Sequence, residues 1–385
     1  MTTAFEAAFD DAVETIRRTA ADFAAWYPDD TSVNNVYGPR VARNGFGSGA
    51  NEGWTTSFVP GQQWLAFERT GDPFFKDAAL AHAKDFARRV HNREDLDTHD
   101  LGFLYTLSSV VPWRLFGSPE DRAAALAAAD ALMLRFLEPA GIIQAWGRLD
   151  NPGERGRTII DSLMNMPLLT WAYQETGEER YADAVRRHCT QLATHIMRPD
   201  DTTFHTFWWD AETGEPLRGT TAQGAADDSC WARGQAWGIY GFALNYEATG
   251  DEALLDAARR CADYFLAHLP ADGVPYWDLI FTDGSGEERD SSAAAIASCG
   301  LHQLAALETD PQRATRYAQA GEKLLLDLIA GYTPHAQGVD SNGQLLESVY
   351  NKNKREGVKE CSLWGDYFYV EALMRYTNPN WRRYW

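Results

Sequence analysis

Two aspartates stand where apolar helices are predicted to begin. Asp100 precedes the run LGFLYTLSSVV, and Asp161 lies between two isoleucines and the run SLMNMPLL. A carboxyl group in apolar surroundings has a raised pKa because its charged form is disfavoured, and a raised pKa suits a general acid near neutral pH. Either side chain could instead only cap a helix by accepting backbone N–H groups. The setting favours catalysis for Asp161 and leaves the two alternatives open for Asp100.

Further polar residues lie at the starts of other apolar segments. Most of the aspartates in such positions are expected to be helix caps; these are Asp227, Asp228, Asp290 and Asp366. Arg233 lies between Trp231 and Trp237 in the sequence WARGQAW. Its planar guanidinium suits a carboxylate or sulfate on a ligand, and a structural ion pair is an equal alternative.

Aromatic residues are unusually frequent, with 14 Trp, 16 Tyr and 18 Phe. Packing in the core is the ordinary explanation. Many of them, however, stand beside polar residues in segments such as GWTTSF, QAWGRLD and TFHTFWWD. Tryptophan rings near carboxylates and arginine indicate carbohydrate binding, and paired carboxylates are typical of glycosidases.

Other catalytic signatures are missing from the sequence. The Gly-rich stretch 44–49 lacks the spacing and the lysine of a phosphate-binding loop, so we predict a flexible loop there. The nine histidines and five cysteines show neither HExxH nor zinc-finger spacing, and no GxSxG motif occurs.

Amphipathic helices recur along the chain and must position these residues. Most follow a Thr-Gly or Gly-Ser turn and have acidic residues in their first helical turn. The helices begin near Phe5, Thr70, Gly117, Thr176, Thr249 and Asp310. Between them lie segments that are apolar almost all round, which indicates burial. These segments are 53–70, 101–116, 159–176, 232–249, 291–307 and 362–377.

The alternation of outer and inner helices predicts an all-α fold, an (α/α)6 barrel of six hairpins. No linker composition interrupts the chain, so we predict one catalytic domain over residues 1–385. The N-terminal ends of the inner helices would line one mouth of the barrel. Short hairpins are expected there, for example in TFHTFWW.

Net charge and cysteine usage limit the partners and the compartment. A charge of -20 argues against nucleic acid and anionic membranes, whose binding requires basic residues. A small anionic ligand is still possible because salt screens distant charges over about 8 Å. Scattered cysteines, an acidic N-terminal segment and the absence of an apolar span predict a cytoplasmic protein.

Five motifs, in their order and spacing, resemble the unsaturated glucuronyl hydrolases of glycoside hydrolase family 88. They are THDLGF, TIIDSLMN, WARGQAWGIYGF, DSSAAAIASCGL and WGDYFYVEAL. The resemblance extends from about residue 30 to the C-terminus. A related family that acts on unsaturated rhamnogalacturonan tends to carry RGN-type motifs where this chain has RGQAW, which favours the glucuronyl branch.

The resemblance implies a small anionic oligosaccharide as substrate. It is a lyase-generated, glycosaminoglycan-type fragment with a 4,5-unsaturated uronic acid at its non-reducing end, which is released by hydration of the C4=C5 vinyl ether. Asp161 would protonate C4 and then help water to attack C5, while Asp100 stays ionised and assists. Neither a metal nor an organic cofactor is implied, and we expect a monomer or weak homodimer.

The resemblance also implies a set of binding residues. The residues around the sugar would be His99, His205, Gln223, Arg233 and Trp237. The aromatic walls would be formed by Trp54, Trp146 and Trp231, and Tyr350 would close the mouth of the barrel. The basic stretch 351–360 could contact a sulfate or form a solvated loop. A rhamnogalacturonyl hydrolase, a sugar epimerase with histidines facing each other, and a non-catalytic glycan binder are the alternatives.

Overall fold

Amphipathic helices form the outer layer of the computed structural model, which describes residues 3–385. Each buries one face and exposes the other. They are α1 (Ala4–Ala25), α3 (Pro73–His91), α6 (Pro119–Met133), α8 (Glu179–His195), α10 (Glu252–Ala267) and α12 (Pro311–Gly331). The acidic residue of the recurring turn is the N-cap of several of these helices, because the side chains of Asp72, Asp251 and Asp310 accept backbone N–H groups.

Apolar helices form the inner layer. They are α2 (Phe58–Thr70), α4 (Leu101–Tyr105), α5 (Val111–Phe116), α7 (Met166–Thr176), α9 (Ala232–Thr249), α11 (Ser291–Leu307) and α14 (Leu363–Thr377). A short helix, α13 (Pro334–Gln337), follows α12. Helix α9 contacts α7 and α11, α11 contacts α14, and α14 contacts α2. Helix α4 contacts α7.

Two inner segments deviate from regular α-helix. A π-helical turn over Thr106–Val110 joins α4 to α5 and contacts α2. A 3-10 turn over Ile160–Met164 precedes α7, although we predicted a continuous helix from residue 159. The reason is that Ile159 is extended and pairs with Thr206, so the helix can begin only after it.

Short antiparallel strands lie in the loops of the described chain. They are β1 (Phe136–Leu137), β2 (Ile142–Ile143), β3 (Arg157–Ile159), β4 (Thr206–Trp209), β5 (Pro216–Thr220), β6 (Ser348–Asn351) and β7 (Glu356–Glu360). Strands β3, β4 and β5 form one sheet, with β4 in the centre. Strand β4 lies in the predicted TFHTFWW hairpin region. The basic stretch 351–360 is not a loop throughout, since it closes the β6–β7 hairpin.

The buried hydrophobic core is continuous from Ala8 to Trp385 and includes residues from both helical layers. The prediction of a mostly helical fold is confirmed. No helix within residues 3–385 is both long and apolar enough to cross a membrane.

Candidate active site

The two aspartate-bearing segments approach each other at Gly102. A Cβ atom added to Gly102 would overlap the backbone of Asn165, so only glycine allows this contact. The Asn165 side chain accepts a hydrogen bond from the Phe103 N–H at 2.8 Å. The start of α4 is thereby held against the turn that carries Asp161.

The turn over Ile160–Met164 is fixed on both sides. The Ile160 N–H donates to the His205 carbonyl at 3.1 Å. His188, from α8, accepts the Ile143 N–H at Nδ1, so its Nε2 carries the proton and lies 2.8 Å from the Ser162 hydroxyl. These bonds set the position of Asp161 relative to the surrounding strands.

Asp100, Asp161 and His99 form one cluster. His99 Nε2 lies 3.3 Å from Asp100 Oδ1 and 3.6 Å from Asp161 Oδ1. The Asp100 side chain does not cap its helix, whereas Asp161 lies in the first turn of its segment, after the N-cap residue Ile159. The Thr98 hydroxyl donates to Asp100 Oδ2 at 2.7 Å. One ligand atom from each member of the cluster lies within 4.8 Å of the others, so the cluster could also hold a metal ion.

The environment of Asp161 favours its protonated form. Burial raises its pKa well above the ordinary value, the charge of Asp100 raises it further, and Arg233 opposes the shift. Asp161 Oδ1 has no hydrogen-bond partner among residues 3–385. The side chain as a whole is 16% exposed, although the Oδ1 atom itself is buried. A protonated carboxyl group in this setting can give its proton to a bound molecule.

Two histidines beside Asp161 are held neutral. Burial lowers the pKa of His99, and burial followed by the charge of Arg233 lowers the pKa of His205 to about 3. His205 Nδ1 lies 2.6 Å from the Thr206 hydroxyl, and its buried Nε2 has no partner in the described chain. His205 therefore offers one free ring nitrogen to a ligand.

Arg233 forms the structural ion pair that was one of its two predicted roles. Its NH1 group lies 3.0 Å from Asp290 Oδ2, and both side chains are buried. It also donates to the Val349 and Tyr350 carbonyls and to Gln223 Oε1. Arg233 thus fixes the β6 strand and the Gln223 side chain beside the cluster.

Aromatic rings surround this group. Trp54 donates to the Tyr350 hydroxyl at 3.1 Å and stacks on Trp364 with ring centroids 5.2 Å apart. The Trp231 ring lies 4.8 Å from the His205 ring. The guanidinium of Arg233 lies 4.4 Å from the Trp231 ring centroid and 4.9 Å from that of Trp364.

Two of the predicted tryptophans occupy different environments. Trp237 is 1% exposed and packs between Phe103 and Phe368, so its ring belongs to the aromatic core. Trp146 is 37% exposed, and the Arg157 guanidinium lies 3.6 Å from its ring centroid.

Other aspartates serve structural purposes. Asp290 caps α11, and Asp366 accepts the Gln344 and Leu345 N–H groups and the Tyr37 hydroxyl. Burial raises the pKa of Asp366 to about 7. Asp227 and Asp228 are exposed, and Asp227 accepts the Thr221 N–H.

Three residues that shape the site were not predicted from the sequence: Asn165, His188 and Trp364. Asn165 stands inside the quoted motif TIIDSLMN, so its place next to Asp161 was a usable signal. His188 lies on an outer helix, and Trp364 follows Ser362 at the start of an apolar helix, where a core position is the ordinary expectation.

Lys352 in the basic hairpin is already paired. It lies 3.4 Å from Glu287 and also contacts Glu288. The side chains of Asn351 and Asn353 donate to the carbonyls of Ala222 and Gly224. The hairpin is therefore anchored to the loop that carries Gln223.

The family Glycosyl Hydrolase Family 88 matches residues 40–303. The unsaturated chondroitin disaccharide hydrolase of Streptococcus pneumoniae is 44% identical over 361 residues, covering 93% of this chain and 88% of that protein. The crystal structure of unsaturated glucuronyl hydrolase from Streptococcus agalactiae has a TM-score of 0.93 at 41% identity, covering 100% of this chain and 94% of that one.

A variant of the S. agalactiae enzyme in complex with dGlcA-GalNAc6S has a TM-score of 0.83 at 38% identity, covering 100% of this chain and 94% of that one. The prediction of an enzyme of the unsaturated glucuronyl hydrolase type is confirmed by these similarities. The chain belongs to glycoside hydrolase family 88.

Proposed function

We propose that this chain removes the 4,5-unsaturated uronic acid from the non-reducing end of lyase-generated glycosaminoglycan oligosaccharides, and that Asp161 supplies the proton. One observation carries the assignment of Asp161, namely its local environment. Its pKa is raised, its Oδ1 has no partner in the described chain, and a second carboxylate lies beside it.

The reaction begins with proton transfer from Asp161 to C4 of the double bond. Positive charge then develops at C5, where the ring oxygen shares it. Asp161, now a carboxylate, takes a proton from the water that attacks C5. The resulting hemiketal opens and releases the adjoining sugar. One carboxyl group thus serves as acid and then as base, so the separation of two carboxylates does not predict the stereochemistry as it does in ordinary glycosidases.

Asp100 supports this sequence through its charge. An ionised carboxylate next to Asp161 disfavours loss of the Asp161 proton, since two neighbouring negative charges repel each other. Asp100 accepts a hydrogen bond from the Thr98 hydroxyl. The two neighbouring carboxyl groups therefore differ in their hydrogen-bond partners.

The substrate class is supported by what similar proteins bind. The S. pneumoniae relative carries the name of a chondroitin disaccharide hydrolase, and the S. agalactiae complex contains dGlcA-GalNAc6S. The tryptophans near the cluster provide faces for a sugar ring. His205 Nε2, buried and without a partner in the described chain, would donate to or accept from a sugar oxygen.

We also infer that the ring of inner helices is the predicted (α/α)6 barrel within a single domain over residues 1–385. The contact of α14 with α2 supports closure of the ring, and the continuous core supports one domain. All five cysteines are free and buried, which supports the predicted cytoplasmic location.

The test is a spectroscopic assay on unsaturated chondroitin, hyaluronan, heparin and pectin disaccharides. The conjugated double bond absorbs in the ultraviolet, and hydration removes the absorbance. We expect loss of absorbance with release of the second sugar from the glycosaminoglycan fragments. Unchanged absorbance with all four would contradict the proposal, turnover of the pectin fragment alone would indicate the rhamnogalacturonyl alternative, and conversion without release of a sugar would indicate an epimerase.

A further inference from the structure

Three side chains form a row across the β3–β4–β5 sheet. Arg157 of β3 pairs in register with Trp208 of β4, and Trp208 pairs with Arg218 of β5. Side chains of register partners point to the same face of a sheet. We refer to Arg157, Trp208 and Arg218 as the outer row.

The outer row continues from the catalytic cluster. Strand β3 runs directly into Ile160 and Asp161, and the Ile160 N–H donates to the carbonyl of His205, the residue before β4. Ile160 lies three residues after Arg157, a distance of about 10 Å along the strand. An oligosaccharide that extends from the catalytic cluster along this sheet would pass the outer row.

The arginines of the outer row stack on aromatic rings. The Arg157 guanidinium lies 3.6 Å from the Trp146 ring centroid and 5.5 Å from the Trp208 ring centroid. Its Nε and NH2 groups donate to the Trp146 carbonyl. The Arg218 guanidinium lies 5.8 Å from the Trp208 ring centroid. Stacked arginines keep N–H donors at the edge of the guanidinium plane for an anion.

Neither arginine of the outer row forms an ion pair within the described chain. Among residues 3–385, neither Arg157 nor Arg218 has an acidic oxygen within 4.0 Å. Glu154 is the acidic residue that acts on the charge of Arg157, and it also accepts the backbone N–H of Arg148. Arg218 is exposed and Trp208 is half-buried, so both can reach a ligand. Unpaired cations on one face of a chain with net charge -20 indicate an anionic ligand.

We propose that the outer row binds an anionic sugar beyond the unsaturated uronic acid, with Trp208 against the sugar and Arg157 and Arg218 at its carboxylate or sulfate. The proposal rests on the proposed function, because it assigns the part of the same substrate that extends from the catalytic cluster. It predicts that the enzyme distinguishes fragments by length or by sulfation through residues outside the catalytic cluster.

The experiment compares kcat/KM for the unsaturated hyaluronan tetrasaccharide with kcat/KM for the disaccharide. The tetrasaccharide carries a carboxylate on its third sugar, and the disaccharide does not. We expect Arg218→Gln to lower the tetrasaccharide-to-disaccharide ratio about two- to fivefold, as for an exposed charge pair. Trp208→Leu should also lower the tetrasaccharide-to-disaccharide ratio. Arg186→Gln, an exposed arginine on α8, is the matched control and should keep the wild-type ratio.

A second arm distinguishes the two anions. The ratio of kcat/KM for 6-sulfated and unsulfated chondroitin disaccharides is measured with the same variants. A fall in this ratio for Arg218→Gln would assign the row to sulfate, whereas a fall only for the tetrasaccharide would assign it to the carboxylate. If Arg218→Gln keeps both wild-type ratios, the outer row is not a sugar site. Failure of the proposed function is different, since the wild type would then hydrate no disaccharide.

Discussion

His99 stands between two carboxyl groups, but a neutral imidazole has only one N–H to donate. Its Nε2 is nearer to Asp100 than to Asp161, at 3.3 Å against 3.6 Å. This asymmetry agrees with the different surroundings of the two carboxyl groups. Asp100 has a hydroxyl donor in Thr98, whereas Asp161 Oδ1 has no partner in the described residues. The hydrogen bond from the Thr98 hydroxyl therefore distinguishes Asp100, the proposed assistant, from Asp161, the proposed acid.

Asp161→Asn should lower kcat by about 100- to 10,000-fold, because the amide cannot supply the proton. The change preserves shape, so the circular dichroism spectrum and the unfolding midpoint should stay close to those of the wild type. The ultraviolet assay on an unsaturated chondroitin disaccharide measures the effect. Activity within a few-fold of the wild type would reassign the proton donor.

The pH profile should report the interaction between the two aspartates. The active form carries a proton on Asp161, so kcat falls as the pH rises through the raised pKa of that group. The charge of Asp100 contributes to this raised pKa, so Asp100→Asn should move the alkaline limb to lower pH. A limb that stays in place, or that moves to higher pH, would show that the two groups do not interact in this way.

The same cluster should make the enzyme sensitive to zinc. Tetrahedral zinc with bonds of about 2.0 to 2.2 Å places its ligand atoms about 3.4 Å apart, close to the spacing of His99 Nε2 from the two carboxylates. We expect micromolar zinc to inhibit competitively and magnesium, which prefers octahedral oxygen ligands, to have little effect. Noncompetitive inhibition by zinc, or equal inhibition by both ions, would place the metal elsewhere.

At the scale of helices, the contact of Gly102 with Asn165 brings the two catalytic segments together. Gly102→Ala should lower the free energy of unfolding by about 1 to 3 kcal/mol or more, because the added methyl group meets backbone that cannot move aside. It should also lower kcat by separating Asp100 from Asp161. Thermal unfolding and the ultraviolet assay measure the two effects.

Gly331→Ala is the control for this substitution. Gly331 is the last residue of α12, and a Cβ atom there meets nothing within 4 Å. Alanine is a better helix former than glycine, so the control should be neutral or stabilising. If Gly102→Ala behaved like Gly331→Ala, the close approach would not constrain the site.

The helices were predictable because their signals are local. The turn before α10 places Asp251 where its side chain accepts the Ala253 N–H, and such caps can be recognised within four residues of sequence. The contact between Gly102 and Asn165 joins residues that are distant in sequence and follows no periodic pattern. Likewise, β3 and β5 contain three and five residues, and Arg157, Gly219 and Pro216 in them are not strong strand formers.

The site was predictable only in part for a similar physical reason. The sequence suggested Asp161 through its apolar neighbours, but it left capping open for Asp100 until the side chain was seen to contact Thr98 and His99 instead. Arg233 could not be assigned from sequence, because its partner Asp290 lies on a different helix start.

For the whole molecule, buried neutral histidines should make the fold sensitive to acid. Burial lowers the pKa to about 3 for His188 and His205 and to about 4 for His82 and His302. Below the ordinary histidine pKa of about 6.5, the unfolded chain binds protons that the folded chain does not. Stability should therefore fall as the pH is lowered from 7 to 5, by about 2 kcal/mol for each fully buried histidine.

Asp366 acts in the opposite direction. Its pKa in the folded chain is about 7, so between its ordinary pKa and pH 7 the folded chain binds the extra proton and stability falls as the pH rises. The four histidines lower stability in acid by more than Asp366 and Asp161 raise it, so the net change is a loss of stability. The unfolding midpoint measured from pH 7 to pH 5 checks the sign, and a midpoint that rises in acid would contradict the predicted balance.

The contact of α14 with α2 has a consequence for synthesis on the ribosome. Helix α2 is made early, but one of its inner neighbours, α14, spans Leu363–Thr377 and is made almost 300 residues later. Trp54, next to α2, stacks on Trp364 of α14, and this pair flanks the proposed sugar site. A nascent chain therefore cannot complete this wall until α14 has left the exit tunnel, and the aromatic face of Trp54 stays open to chaperones for nearly the whole of translation.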